Sequence, residues 1–181
     1  MFKLFARVGH PKENPNICFI PTATGDDEAY KVNFYSTFSQ LNCTPSHLDF
    51  FKRTAKLEDI IFPQDIVFVG GGNTKSMLAV WKEWGLVQIL KEAYEAGTIM
   101  CGVSAVAICW FEKGITDSWA DELKFIDCLG FVSGFVSYIL AFGLAFARLL
   151  LALEFEVVAG VNCFQTHLAP HTGHTPVCSL L

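Results

Sequence analysis

Uniformly apolar runs alternate with stretches of helical period along the first hundred residues. NICFIP at 16–21, DIVFV at 65–69 and TIMCGV at 98–103 read as strands. DIVFV is apolar enough to be buried on both faces, as a parallel strand is. Ser46–Phe51 is a further strand candidate. Between the runs, Thr24-Gly25-Asp26-Asp27 reads as a capping box opening a helix whose buried stripe is Tyr30, Phe34, Phe38 and Leu41. A second helix spans about Thr74 to Trp84, with Met77, Trp81 and Trp84 on one side and Gly85 closing it. A third, Leu86–Ala96, turns Leu86, Ile89, Leu90 and Ala93 inward and stops at Gly97. A helix follows Ser104 to about Phe111, and EKGITDSWADELK reads as a polar surface passage. Strands alternating with amphipathic helices predict α/β architecture: an open, mostly parallel sheet flanked by helices in three layers.

The pattern breaks at Cys128. Beyond it only Arg148, Glu154 and Glu156 carry charge, and Cys128–Ala147 is a charge-free run of 20 residues. Residues 131–160 are too uniformly apolar for periodicity to separate helix from strand, and the end, THLAPHTGHTPVCSLL, is coil by composition. A shifted reading frame or aberrant terminus, a buried core segment, and a membrane helix all fit such a break; glycines, serines and weak flanks make the membrane helix the least favoured. The organisation expected is an α/β domain over 1–134 and an atypical apolar segment with a coil tail over 135–181.

Composition narrows the function. A chain of 181 residues suits one domain with a real core. A net charge of −5 gives no electrostatic case for nucleic acid. Seven cysteines without a CxxC pair point to reduced thiols in a cytoplasmic setting, and residues 1–15 hold no apolar run of signal-peptide length.

The chemistry concentrates in two loops. Gly102-Val103-Ser104-Ala105 carries a strand into a helix, the turn on which α/β enzymes expose a serine nucleophile. Such a turn sets the next backbone N–H, that of Ala105, at one corner of an oxyanion hole. GGGNT at 70–74 ends a neighbouring strand, and loops at the carboxyl ends of adjacent parallel strands meet at one crevice. Glycine there lets backbone approach a substrate closely, which makes Gly71 and Asn73 candidate substrate-binding positions. GGGNTKS lacks the spacing of a P-loop.

NPNICFIPTATGDDE, DIVFVGGGNTKSML and GVSAVAICWFEKGITDS together resemble the dipeptidase E and cyanophycinase family of serine peptidases over about residues 12–134. The resemblance implies a class I glutamine amidotransferase-like fold. It implies Ser104 as nucleophile, Gly72 and Ala105 as oxyanion donors through backbone N–H groups, and Asp117 as an acidic residue facing the site. It further implies a small aspartyl peptide or related amide as substrate, and no metal or other cofactor.

This chain departs from that pattern in two places. Val106 stands where the family has glycine, and a β-branched side chain there is expected to press on the neighbouring strand. The segment expected to carry the family histidine reads SGFVSYILAF. A triad enzyme without its base keeps only residual activity, so a working site needs His167, His171 or His174 to return to the serine. Those histidines with Cys178 also have spacings a metal could use, in a coil without apparent supporting residues. His10 and His47 read as surface residues. Two functions follow: a serine peptidase impaired by these departures, or a non-catalytic α/β scaffold or interaction module of the same descent. Oligomeric state is not legible.

Overall fold

The computed structural model describes residues 13–54, 56–137 and 161–164. Their elements run β1 (Asn16–Ile20), α1 (Glu28–Phe38), β2 (Thr44–His47), α2 (Leu57–Ile61), β3 (Ile66–Val69), α3 (Thr74–Glu83), α4 (Leu86–Glu95), β4 (Ile99–Val103), a 3-10 helix (Ser104–Trp110), β5 (Phe111–Thr116), β6 (Lys124–Asp127), β7 (Val132–Ser137) and β8 (Val161–Phe164). A short 3-10 turn, Thr22–Thr24, precedes α1. Five strands form the main sheet in the order β2-β1-β3-β4-β8. The first four are parallel and β8 joins β4 antiparallel.

Strand pleat explains why the runs are apolar throughout. Ile17, Phe19, Ile66, Phe68, Ile99 and Cys101 pack on one face with Phe34 and Phe38 of α1. Cys18, Ile20, Val67, Val69 and Met100 pack on the other, with Leu57 and Ile61 of α2, Met77 and Trp81 of α3, and Leu86 and Leu90 of α4. Alternate residues of one strand therefore serve opposite layers, and no position is free to be polar. Each large side chain so buried stabilises the fold by about 1.5–3 kcal/mol. On the α1 face the aromatic rings are in register: Phe19 stacks on Phe34 at 4.8 Å, and Phe34 meets Phe38 at 4.5 Å.

Several sequence expectations shift. The box before α1 resolves into a cap at Asp27, whose carboxylate accepts the Tyr30 N–H at 2.7 Å; the third helical residue is Tyr30, so no reciprocal Glu bond forms. The second strand begins and ends earlier than Ser46–Phe51, because Asp49–Phe51 are held by side chains instead of a ladder. Trp84 lies just past α3 and is 46% exposed, its ring edge against Phe50, so it is not a core residue.

The largest difference is at 111–127, where the polar surface passage forms two strands. β5, β6 and β7 make a second sheet in the order β6-β5-β7. The inward positions of β5 are Gly114 and Thr116, both buried. Small and hydroxylated residues there hide the alternation that marks a half-buried strand. Gly114 is required by packing, since a Cβ on it would lie 2.5 Å from Ile108 Cδ1. On the opposite face Phe125 and Phe135 are exposed with ring centroids 5.8 Å apart. Among the described residues no helix is long and apolar enough to cross a membrane, and 138–147 of the charge-free run lie outside them.

Cys101 is disulfide-bonded, which corrects the expectation of reduced thiols throughout. Cys18, Cys43, Cys109 and Cys128 are free. Burial pushes the Cys18 thiol up to about 12, outweighing a hydrogen bond from Ser46, so the sulfur is a small core hydrophobe.

Polar side chains organise the loop between β2 and α2. Lys31, almost wholly buried, is held by Asp49 at 2.9 and 3.1 Å and by Glu28 at 3.1 Å. Burial alone lowers the pKa of its ammonium, but the bonds to Asp49 and Glu28 prevail and the net shift is upward. Asp26 adopts a left-handed backbone (φ +60°) and is 5% exposed. Its Oδ2 accepts the N–H groups of Phe50 and Phe51, so it ties the turn after β1 to the loop after β2. Asp26→Ala removes two charge-assisted bonds and puts a Cβ-bearing residue without a local acceptor in a left-handed position. A loss of about 2–3 kcal/mol is expected in urea unfolding; an unchanged midpoint would remove Asp26 from this role.

Candidate active site

Ser104 stands at the end of β4 with φ +60°, one of two non-glycine residues in the left-handed region among those described. Val103 before it is extended (φ −119°, ψ 148°) and the 3-10 helix begins at the serine. An extended residue, a left-handed serine and an immediate helix make a sharp corner, and the Ser104 side chain is exposed upon it. The corner needs room beneath it. A Cβ on Gly102 would lie 3.0 Å from Ala107 Cα, so glycine lets the helix fold back over its own strand. That helix is 3-10 instead of α: Val106 and Ile108 are β-branched, and the chain leaves for β5 after seven residues. Val106 is fully buried in the core, on the side of α3 and α4.

β3 and β4 are neighbours, with Val69 opposite Gly102, so the triple-glycine turn reaches the same end of the sheet as the serine. The two turns touch. A Cβ on Gly71 would stand 3.2 Å from Ser104 Cβ and 3.4 Å from the Val103 carbonyl oxygen. Gly72 has φ +142°, and a Cβ there would be 2.4 Å from the Ala23 carbonyl oxygen. That same oxygen accepts the Asn73 N–H at 2.8 Å. The turn after β1 thus presses on Gly72 from behind and fixes its peptide planes. Among the described residues nothing accepts the Gly72 N–H. Asn73 caps α3, its side chain accepting the Ser76 N–H at 2.9 Å, so its carboxamide oxygen is occupied by the framework.

Asp117 follows β5 and is exposed. Its neighbour Ser118 donates to Thr74 Oγ1 at 3.0 Å and accepts the Thr74 N–H at 3.3 Å. The acidic residue is thereby brought beside the start of α3, next to the glycine turn. Ser118 was not singled out in the sequence, and a serine beside a candidate acid is a weak signal. Tyr30 packs against the core as its place on the stripe of α1 predicts, and its hydroxyl oxygen also accepts the Gly71 N–H at 3.1 Å. A hydroxyl-bearing residue one turn into α1 was the available hint. His47 is exposed, as expected, with Nδ1 2.8 Å from the Tyr35 hydroxyl and Nε2 3.6 Å from Asp49. His10, His167, His171, His174 and Cys178 lie outside the described residues.

Against known proteins, residues 3–137 match the model of peptidase family S51. The chain is 49% identical over 124 residues to uncharacterized peptidase YgaJ of Bacillus subtilis (strain 168), an alignment covering 68% of this chain and 54% of that protein. It is 29% identical over 135 residues to uncharacterized peptidase PM1590 of Pasteurella multocida (strain Pm70), covering 71% and 61% respectively. The fold is similar to that of a candidate peptidase E protein from Listeria monocytogenes EGD-e in its crystal structure, with a TM-score of 0.54 at 20% identity over 72% of this chain and 69% of that one. The chain spans about half to three-fifths of the length of the curated relatives it matches. A family match across three quarters of the sequence, on a parallel sheet whose fourth strand ends in an exposed left-handed serine, places this chain in peptidase family S51.

Proposed function

We propose that the chain is a serine hydrolase of small peptides or related amides, with Ser104 as its nucleophile. The observation that carries this reading is the contact between two turns: an exposed serine in a left-handed corner against a glycine backbone whose next N–H is uncommitted. In the reaction, Ser104 Oγ loses its proton to a base and bonds to the carbonyl carbon. The carbonyl electrons move onto oxygen, and the N–H groups of Gly72 and Ala105 receive that charge. Collapse of the adduct expels the amine, which takes up the proton, and water then hydrolyses the acyl-serine. Asp117 is the acidic residue of the site and Gly71 and Asn73 flank the substrate. The base in this reading is His167, His171 or His174. Kinship with dipeptidase E supports an aspartyl peptide as substrate and no cofactor.

Two observations favour a second reading, a non-catalytic scaffold of the same descent. Val106 fills the core where the family has glycine, and residues 128–160 contain no histidine.

A fluorophosphonate probe separates the two. The full chain is expected to be labelled and the Ser104→Ala chain not; an unlabelled parent protein establishes the scaffold reading instead. Gly72→Ala forces a Cβ into the Ala23 carbonyl and displaces the N–H. Its labelling rate, read on the folded protein, is expected to fall about 100-fold, with a lowered melting temperature because the Cβ meets backbone at a φ of +142°; an unchanged rate would take Gly72 out of the oxyanion role.

A further inference from the structure

We propose that the Tyr30 hydroxyl is a substrate-contacting hydrogen-bond donor in the crevice beside Ser104, a proposal that rests on the reading of that crevice as the peptide site. Tyr30 is the third residue of α1, and the Asp27 cap holds its backbone N–H at 2.7 Å, which sets the point where the side chain leaves the helix. Its ring lies edge-on to Phe19 at 5.0 Å. The ring also crosses the glycine turn closely: a Cβ on Gly70 would be 2.8 Å from Tyr30 Cε1. Glycine at 70 is therefore what admits the phenol to this end of the sheet.

The hydroxyl oxygen accepts the Gly71 N–H at 3.1 Å. Gly71 is the residue whose Cβ, if present, would touch Ser104. One peptide unit thus has the phenol on its N–H and the serine against its Cα. A phenol carries one proton as well as its lone pairs. Accepting from Gly71 leaves that proton to be donated, and among the described residues no acceptor takes it. Tyr30 is partly exposed, which leaves the proton available to an acceptor oxygen of a ligand lying against the two turns. The ligand chemistry that suits it is a peptide carbonyl or carboxylate oxygen, lying alongside the carbonyl that Ser104 attacks. Phenylalanine at this position would keep the packing on Phe19 and lose both the bond from Gly71 and the free proton.

The test uses the full chain carrying Ser104→Ala, so that binding is read without turnover, and the dipeptide Asp-Leu as probe in calorimetry. Adding Tyr30→Phe is expected to weaken binding about three- to tenfold, with a fall of no more than a few degrees in melting temperature from the lost Gly71 N–H bond. Adding Tyr35→Phe, on the same helix but bonded to His47, is expected to leave affinity as it was. Undiminished affinity in Tyr30→Phe, or no binding of the dipeptide to the Ser104→Ala chain, overturns the proposal. So does loss of the cooperative melting transition in Tyr30→Phe, which assigns the hydroxyl to the framework alone. Because this measurement needs no nucleophile, absent fluorophosphonate labelling of the parent chain sinks the catalytic reading without touching the Tyr30 result.

Discussion

Two backbone turns can share a crevice only when no side chain stands between them. Gly71 and Ser104 meet that condition: a Cβ on the glycine would stand 3.2 Å from Ser104 Cβ and crowd the serine. The contact depends on glycines at four successive levels. Gly102 lets the helix fold back under the corner, Gly70 admits Tyr30, Gly71 faces Ser104, and Gly72 backs onto Ala23. Steric exclusion of this kind is stiffer than any hydrogen bond in the site, because overlap energies rise within tenths of an ångström. It converts a tendency of parallel strands to end together into a fixed juxtaposition of the serine corner and the triple-glycine turn.

The supports for that juxtaposition come from several parts of the chain. The Ala23 carbonyl fixes Asn73, Asp26 fixes the turn that carries Ala23, and Ser118 ties the Asp117 segment to Thr74. Three loops from three parts of the sequence are thus bonded to the start of α3 or to each other. Left-handed φ at Asp26 and at Ser104 costs of order 1 kcal/mol each, and both are held by surrounding contacts. Strain at a bend that offers a hydroxyl to solvent is the signature expected of a serine elbow.

The second sheet serves the site indirectly. β5 leaves the 3-10 helix at Phe111 and returns Asp117 and Ser118 to the glycine turn, with Ile108 filling the space over Gly114. Its outer face exposes Phe125 and Phe135. This part of the fold was the least legible. Its inward residues are glycine and threonine, so hydrophobic alternation is absent, and the glycine is demanded by Ile108, a residue on another element. Tyr30 was obscured for a related reason: helical spacing places it on the buried face, and spacing does not say that the face ends at a crevice.

By itself the sequence determined the parallel sheet, since strands buried on both faces must be apolar at every position and helices between them must show one apolar stripe. It also marked the serine corner and the triple glycine, because backbone geometry at those points restricts residue type. Tertiary structure alone decided which turns meet, that the segment after the corner is 3-10, that β5 and β6 exist, and that a tyrosine read as core reaches Gly71. Each of these depends on the volume and position of a partner distant in the chain, and local periodicity carries no record of a partner.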